Sequence, residues 1–156
     1  MDSNATPSPA ENELVYSRQF PVPVGRLFEA FRNPEKLQLW WGPNGFTSEF
    51  ETFEFEAGGT WKFIMRGPDG TEYPNDSRFV EIVPDRLIVF DHVCPPHFRM
   101  TMTYGPAPED RDESVLTWRM AFETAELCRK LRPICDPANV ENFDRLQSFF
   151  PGNAAD

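Results

Sequence analysis

The spacing of apolar positions along this 156-residue chain changes period twice. Leu14 to Phe20 (Leu-Val-Tyr-Ser-Arg-Gln-Phe) reads as a first strand, and Pro21 and Pro23 close it. Val24, Leu27, Phe28 and Phe31 then recur at i, i+3, i+4 and i+7, the apolar stripe of a short helix. Asn33-Pro34 predicts a second helix start, because Asn accepts from the free N–H groups of a first turn and Pro needs no donor there. That second short helix carries Leu37 and reaches Trp40-Trp41, where Gly42-Pro43-Asn44-Gly45 breaks it.

From Phe46 to Phe122 the period is two. Phe53 and Phe55 alternate with Glu54 and Glu56, and Gly58-Gly59 turns the chain. Trp61, Phe63 and Met65 share one face against Lys62, Ile64 and Arg66. Pro68-Asp69-Gly70 is a tight-turn sequence, so a hairpin partner begins near Glu72. Phe79 to Val83 and Leu87 to His92 read as two further strands around Pro84-Asp85. Phe98, Met100, Met102 and Tyr104 alternate with polar residues, as do Leu116, Trp118, Met120 and Phe122.

The last quarter is helical. Thr124 is placed to cap a short helix bearing Leu127, Cys128 and Leu131, which Pro133 is expected to disrupt. Asp136-Pro137 reads as a new N-cap and first residue, opening a helix to about Phe150 that Pro151-Gly152 ends. At about 100° per residue, Val140, Phe143, Leu146 and Phe150 share an arc that includes Asn139. A buried amide needs a partner. Asn139 either bonds backbone groups near the helix start or orients the polar end of a ligand.

One strand, two short helices, about six antiparallel strands and a C-terminal helical region predict an α+β domain, a sheet covered on one face by a helix. With no internal repeat or long linker, residues 14–150 read as that domain. Residues 1–13 (MDSNATPSPAENE) and 151–156 have the composition of tails.

Composition narrows the function. Aromatics are 14% of the chain, with 15 Phe and 4 Trp, enough large side chains for a dense core or a cavity lining. Lys and Arg number 15 against 25 Asp and Glu, a net charge of -10. That balance opposes binding to nucleic acid and to anionic membranes, which both need an excess of cations. No apolar run approaches the ~20 residues that span a bilayer. The first residues have neither the basic start nor the apolar stretch of a secretory signal. The three cysteines, Cys94, Cys128 and Cys135, therefore read as reduced thiols in a cytoplasm.

Candidate chemistry is sparse. His92, Cys94 and His97 are the most metal-like cluster, with Asp91 beside them, but Pro95-Pro96 separates the histidines and no fourth Cys or His is near in sequence. The cluster reads as a loop, and neither a metal nor another cofactor is expected. Cys94 with His97 as a nucleophile and its base lacks a third residue to orient the base. Glu49, Glu51, Glu54 and Glu56 read as a solvated face, and Pro68-Asp69-Gly70 lacks the glycine spacing and lysine of a phosphate loop.

The segment from Phe28 to Phe46, FEAFRNPEKLQLWWGPNGF, resembles the signature of the activator of Hsp90 ATPase homologue family within the START-like (SRPBCC, polyketide cyclase) superfamily. Gly58-Gly59-Thr60-Trp61, Met65 to Gly70, Ile82 to Leu87, Thr117 to Met120 and Asn142 to Leu146 continue the likeness in order, over roughly Leu14 to Phe150. Pro133 and Pro137 depart from the more continuous C-terminal stretch of many relatives, which bears on the cavity roof. The resemblance implies a helix-grip fold: a curved antiparallel sheet of about six to seven strands around a C-terminal helix, two short helices at one end, and a cavity between.

Taken with the alternation, it implies that Trp41, Trp61, Phe63, Met65, His92, Met100, Met102, Trp118, Met120, Asn139 and Phe143 line a ligand site. The leading expectation is a module that binds a small hydrophobic or aromatic molecule. The alternatives are a cyclase- or dehydratase-like enzyme using the same cavity, and a co-chaperone of an Hsp90-type ATPase. A homodimer is compatible with the sequence. Fold does not choose among these.

Overall fold

The computed structural model describes residues 10–150. The chain runs β1 (Glu13–Phe20), α1 (Val24–Arg32), α2 (Pro34–Trp40), β2 (Thr47–Phe53), β3 (Thr60–Arg66), β4 (Glu72–Val83), β5 (Leu87–His92), β6 (Phe98–Pro106), β7 (Ser114–Phe122) and α3 (Ala125–Phe149). The strands form one antiparallel seven-stranded sheet in the order β1-β7-β6-β5-β4-β3-β2. Only β1 is out of sequence order; it returns beside β7 because α1 and α2 intervene before β2. The sheet curves around α3, the α+β helix-grip arrangement that the alternating pattern and the family resemblance led us to expect.

Local chemistry sets the helix starts. The Asn33 side chain accepts from Glu35 N at 2.9 Å with Pro34 in the first turn, and Thr124 Oγ1 accepts from Leu127 N at 3.0 Å. The predicted break at Pro133 does not occur: α3 is one helix of 25 residues with Pro133 and Pro137 inside it. Both prolines are on its exposed side, as is Arg129, so water can satisfy the carbonyls of residues 129 and 133 that have lost their donors. Packing of the opposite face outweighs the local penalty. Asp136 is therefore no N-cap; its carboxylate accepts from the Tyr16 hydroxyl at 2.6 Å.

Two more boundaries differ from expectation. The hairpin partner near Glu72 and the strand through Phe79 are one strand, β4, kept continuous by a bulge between Phe79 and Glu81. At the N-terminus, β1 starts at Glu13, and Asn12 already pairs with β7: its side chain donates to Phe122 O at 2.8 Å and its carbonyl accepts from Phe122 N at 2.9 Å. The domain thus begins slightly before Leu14. The rest of the expected tails, residues 1–9 and 151–156, lies outside the described residues.

The core fills the concave side of the sheet. On α1, Leu27, Phe28 and Phe31 are buried, and Phe28 and Phe31 meet Tyr104 edge-on at 5.1 and 5.2 Å between ring centres. The Tyr104 hydroxyl is buried without a hydrogen-bond partner, and burial pushes its phenol well up. Removing an unsatisfied buried hydroxyl removes a desolvation cost. Tyr104→Phe is therefore expected to leave stability unchanged or raise it by about 1 kcal/mol. Urea unfolding at constant m-value checks this, and a clear loss would reveal a partner for the hydroxyl.

Candidate functional site

Between the sheet and α3, at the end of the concave face away from α1, lies a cavity of about 160 Å3. Register explains its floor. Trp61, Ser77, His92 and Phe98 are directly paired across β3, β4, β5 and β6, so these side chains make one transverse row. Phe90, Met100 and Met120 make the next row across β5, β6 and β7. Phe63 and Asn75, paired across β3 and β4, extend the floor towards the sheet edge. Trp41, Gly42 and Pro43 close one side, and Ala138, Asn139 and Asn142 of α3 form the roof.

Most of the anticipated lining residues are brought together there: Trp41, Trp61, Phe63, Met65, His92, Met100, Trp118, Met120 and Asn139. Met102 and Phe143 are not among them. Met102 has the right face of β6 but sits opposite Trp118 and Ile88, two residues closer to Tyr104, where the core is solid. Phe143 is behind the wall, edge-on to Trp118 at 4.6 Å and to Phe20 at 6.0 Å. Alternation tells which face a side chain takes; it does not tell where along that face the helices fill the space.

Val140 also departs from its expected arc and is 47% exposed. In the second half of α3 the buried positions are Asn142, Phe143 and Leu146, continuing to Phe150, a narrower arc that leaves Val140 at its edge. Sequence reasoning did not find Asn75, Ser77 and Asn142 as lining residues. A signal existed for the first two: Asn75, Ser77 and Phe79 alternate on one face of β4, but polar residues do not read as an inward face.

Asn142 Nδ2 donates to Trp40 O at 2.9 Å. One turn on, Arg145 Nη1 donates to the carbonyls of Pro43 at 2.9 Å, Phe46 at 3.0 Å and Gly42 at 3.1 Å, and Nη2 to Leu39 O at 3.2 Å. The Asn44 amide donates to Glu141 at 3.1 Å. These bonds tie the segment after α2, which supplies Trp41, Gly42 and Pro43, to the roof helix. Gly42 has φ +111°, a conformation that residues with a side chain rarely adopt, so glycine is favoured at this turn.

His92 is 8% exposed and both ring nitrogens are engaged, Nδ1 with Pro96 O and Nε2 with Asn75 Oδ1, each at 2.8 Å. The ring stacks on Phe98 with centres 4.8 Å apart. The thiol of Cys94 approaches Nε2 to 3.6 Å, while His97 is exposed on the far side of the prolines. Both nitrogens face oxygens that accept, so a neutral ring donates to one of them, and among the described residues no three His, Cys, Asp or Glu side chains are grouped to hold an ion.

Asn139 sits mid-helix, so the alternative that it bonds backbone groups at a helix start is removed by the continuity of α3. It is half-buried, and its Nδ2 donates to the thioether of Met120 at 3.4 Å. Nearby, burial first and the bond to Asp136 next push the Tyr16 phenol up, while the Asn139 amide acts in the opposite direction. The lining contains no Asp, Glu, Lys or Arg. The site can enclose an uncharged, ring-sized body, and His92 is its sole lining group of the acid–base kind.

Comparison with known proteins agrees with this architecture. A protein from Rhodobacter sphaeroides superposes with a TM-score of 0.82 at 17% identity, over 96% of this chain and 99% of the other. A solution structure from Arthrobacter aurescens gives 0.81 at 23% identity over 93% and 90%, and an AHSA1 protein from Silicibacter pomeroyi gives 0.70 at 17% over 87% and 95%. These likenesses concern the fold. No curated protein matches the sequence. Among the described residues no helix is long and apolar enough to cross a membrane. Residues 21–150 match the family described as activator of Hsp90 ATPase homolog 1-like protein, and the chain belongs to that family.

Proposed function

We propose that this protein binds a small, largely apolar molecule in the cavity between the sheet and α3. The observation that carries the reading is a recessed space of about 160 Å3 walled by Trp41, Trp61, Phe63, Phe90, Trp118 and methionines, with a few polar groups in its lining. Ligand sites have this make-up, apolar walls with sparse orienting polar groups. A dry apolar cavity of ~150 Å3 accepts benzene. The volume therefore suits one ring with a small substituent and is too small for a lipid chain. Methionine lets such a wall adapt to its occupant.

Three indoles border the space, so titration with a ring-sized compound such as toluene is expected to change tryptophan fluorescence saturably. A strictly linear response across a set of such compounds would exclude the reading. Asn139 is assigned the polar end of the ligand. Its Nδ2 donates to a thioether, a weak acceptor, so Asn139→Leu is expected to hold or raise stability. The affinity of a ligand with a polar end should fall by about 1–3 kcal/mol. A variant less stable yet unchanged in affinity would take Asn139 out of the site.

A further inference from the structure

We infer that the cavity takes a neutral phenol, a single ring whose hydroxyl donates to the roof amide oxygens of Asn139 and Asn142 and accepts from the Ser77 hydroxyl on the floor. This rests on the reading that the cavity holds a ligand, and it specifies that ligand's chemistry. The starting observation is how the asparagines of the lining are turned. Asn142 Nδ2 donates to Trp40 O at 2.9 Å, and Asn139 Nδ2 to the Met120 thioether at 3.4 Å. A carbonyl and a thioether only accept, so they fix which end of each amide is the nitrogen. Asn75 is turned the same way, with its nitrogen on Tyr73 O at 2.9 Å and its oxygen on the His92 ring at 2.8 Å. Each asparagine of the lining thus commits its nitrogen to the protein. Asn139 Oδ1 and Asn142 Oδ1 keep no hydrogen-bond partner among the described residues.

Ser77 adds a hydroxyl from below. It stands between Trp61 and His92 on the concave side, and its Oγ also has no partner among the described residues. The unpaired side-chain atoms that are sealed off completely belong to Trp61, Tyr104 and Trp118; Ser77 Oγ and Asn142 Oδ1 are not sealed and keep accessible surface. Both belong to residues that line the cavity and are only 1% and 5% exposed, so that surface opens on the cavity. The spare hydrogen-bonding capacity is therefore two acceptors and one hydroxyl that can act either way. An ether or a ketone would pair with Ser77 alone and strip water from the amide oxygens without replacing it. A phenolate or an anilinium would bring a charge to a lining that has no Asp, Glu, Lys or Arg. A neutral hydroxyl donates and accepts at once.

Phenol and toluene test this, since they share one heavy-atom outline and differ in the hydroxyl; anisole keeps the oxygen and loses the O–H. A wholly apolar cavity prefers toluene, because water holds on to the phenol hydroxyl. By calorimetry phenol is expected to bind roughly tenfold more tightly than toluene, the factor for one net hydrogen bond. Anisole should bind no more tightly than toluene. Ser77→Ala, Asn139→Leu and Asn142→Leu should each narrow the phenol-to-toluene ratio. Asn142→Leu also frees Trp40 O, so the ratio is read, since a general loosening weakens both compounds. Should a variant fail to fold, the wild-type series still decides. Toluene binding as tightly as phenol, or anisole matching phenol, would overturn the donor assignment while leaving the cavity reading intact. A ratio that survives all three substitutions would overturn the assignment of these partners. If none of the three compounds binds, the ligand reading itself falls.

Discussion

Trp118→Ala is expected to cost roughly 3–5 kcal/mol of folding stability, the range for emptying a buried aromatic site. Trp118 is 1% exposed in the middle of β7. Its ring is 4.6 Å from Phe143 and 5.4 Å from Trp41, so it joins the sheet to α3 on one side and to the segment after α2 on the other. The sheet cannot collapse into the void because β7 is paired on both edges, with β1 and β6. Most of the new cavity should persist, which places the cost towards the upper end. Denaturant unfolding reads it directly. A loss below about 1 kcal/mol would mean that Trp41 or Phe143 swings into the space and that the wall is softer than its packing implies. Trp118→Phe keeps much of the ring and removes an N–H that has no partner, so it should cost less than Trp118→Ala.

Arg145→Leu is expected to cost on the order of 3 kcal/mol, because it strips donors from four carbonyls at once. Hydrogen bonds from a charged donor are worth more than neutral ones, and these are partly shielded from water. Burial holds the guanidinium below its usual pKa, so part of the gain is already spent on desolvation. The anchored segment carries Trp41, Gly42 and Pro43 to the cavity, so faster amide exchange should be confined first to residues 39–46. Arg145→Lys keeps the charge and offers three donors on a flexible stem, and should recover only part of the loss. Full rescue by lysine would show that charge, and not the fork of the guanidinium, holds the segment.

The alternating faces of β3, β6 and β7 were legible because sheet geometry alone fixes a two-residue period. Helix starts at Asn33 and Thr124 were legible because a cap is a bond between near neighbours in sequence. The candidate site was legible only as a face. Trp61, Met100 and Trp118 could be assigned to the concave side, yet Met102 shares that side and lies in solid core.

Strand periods, turns, the caps of α2 and α3 and the α+β class follow from rules that act between near neighbours in the chain, and motif likeness adds the family. Tertiary structure decided the rest. The passage of α3 through Pro133 and Pro137 depends on a buried face that outweighs two lost backbone bonds, and local propensity contains no such information. The inward turn of Asn75 and Ser77 depends on register with Trp61 and His92, partners distant along the chain. The role of Arg145 depends on four carbonyls about a hundred residues earlier. The cavity itself is where α3 and the segment after α2 fail to fill the curved sheet, a difference between volumes that no single segment encodes.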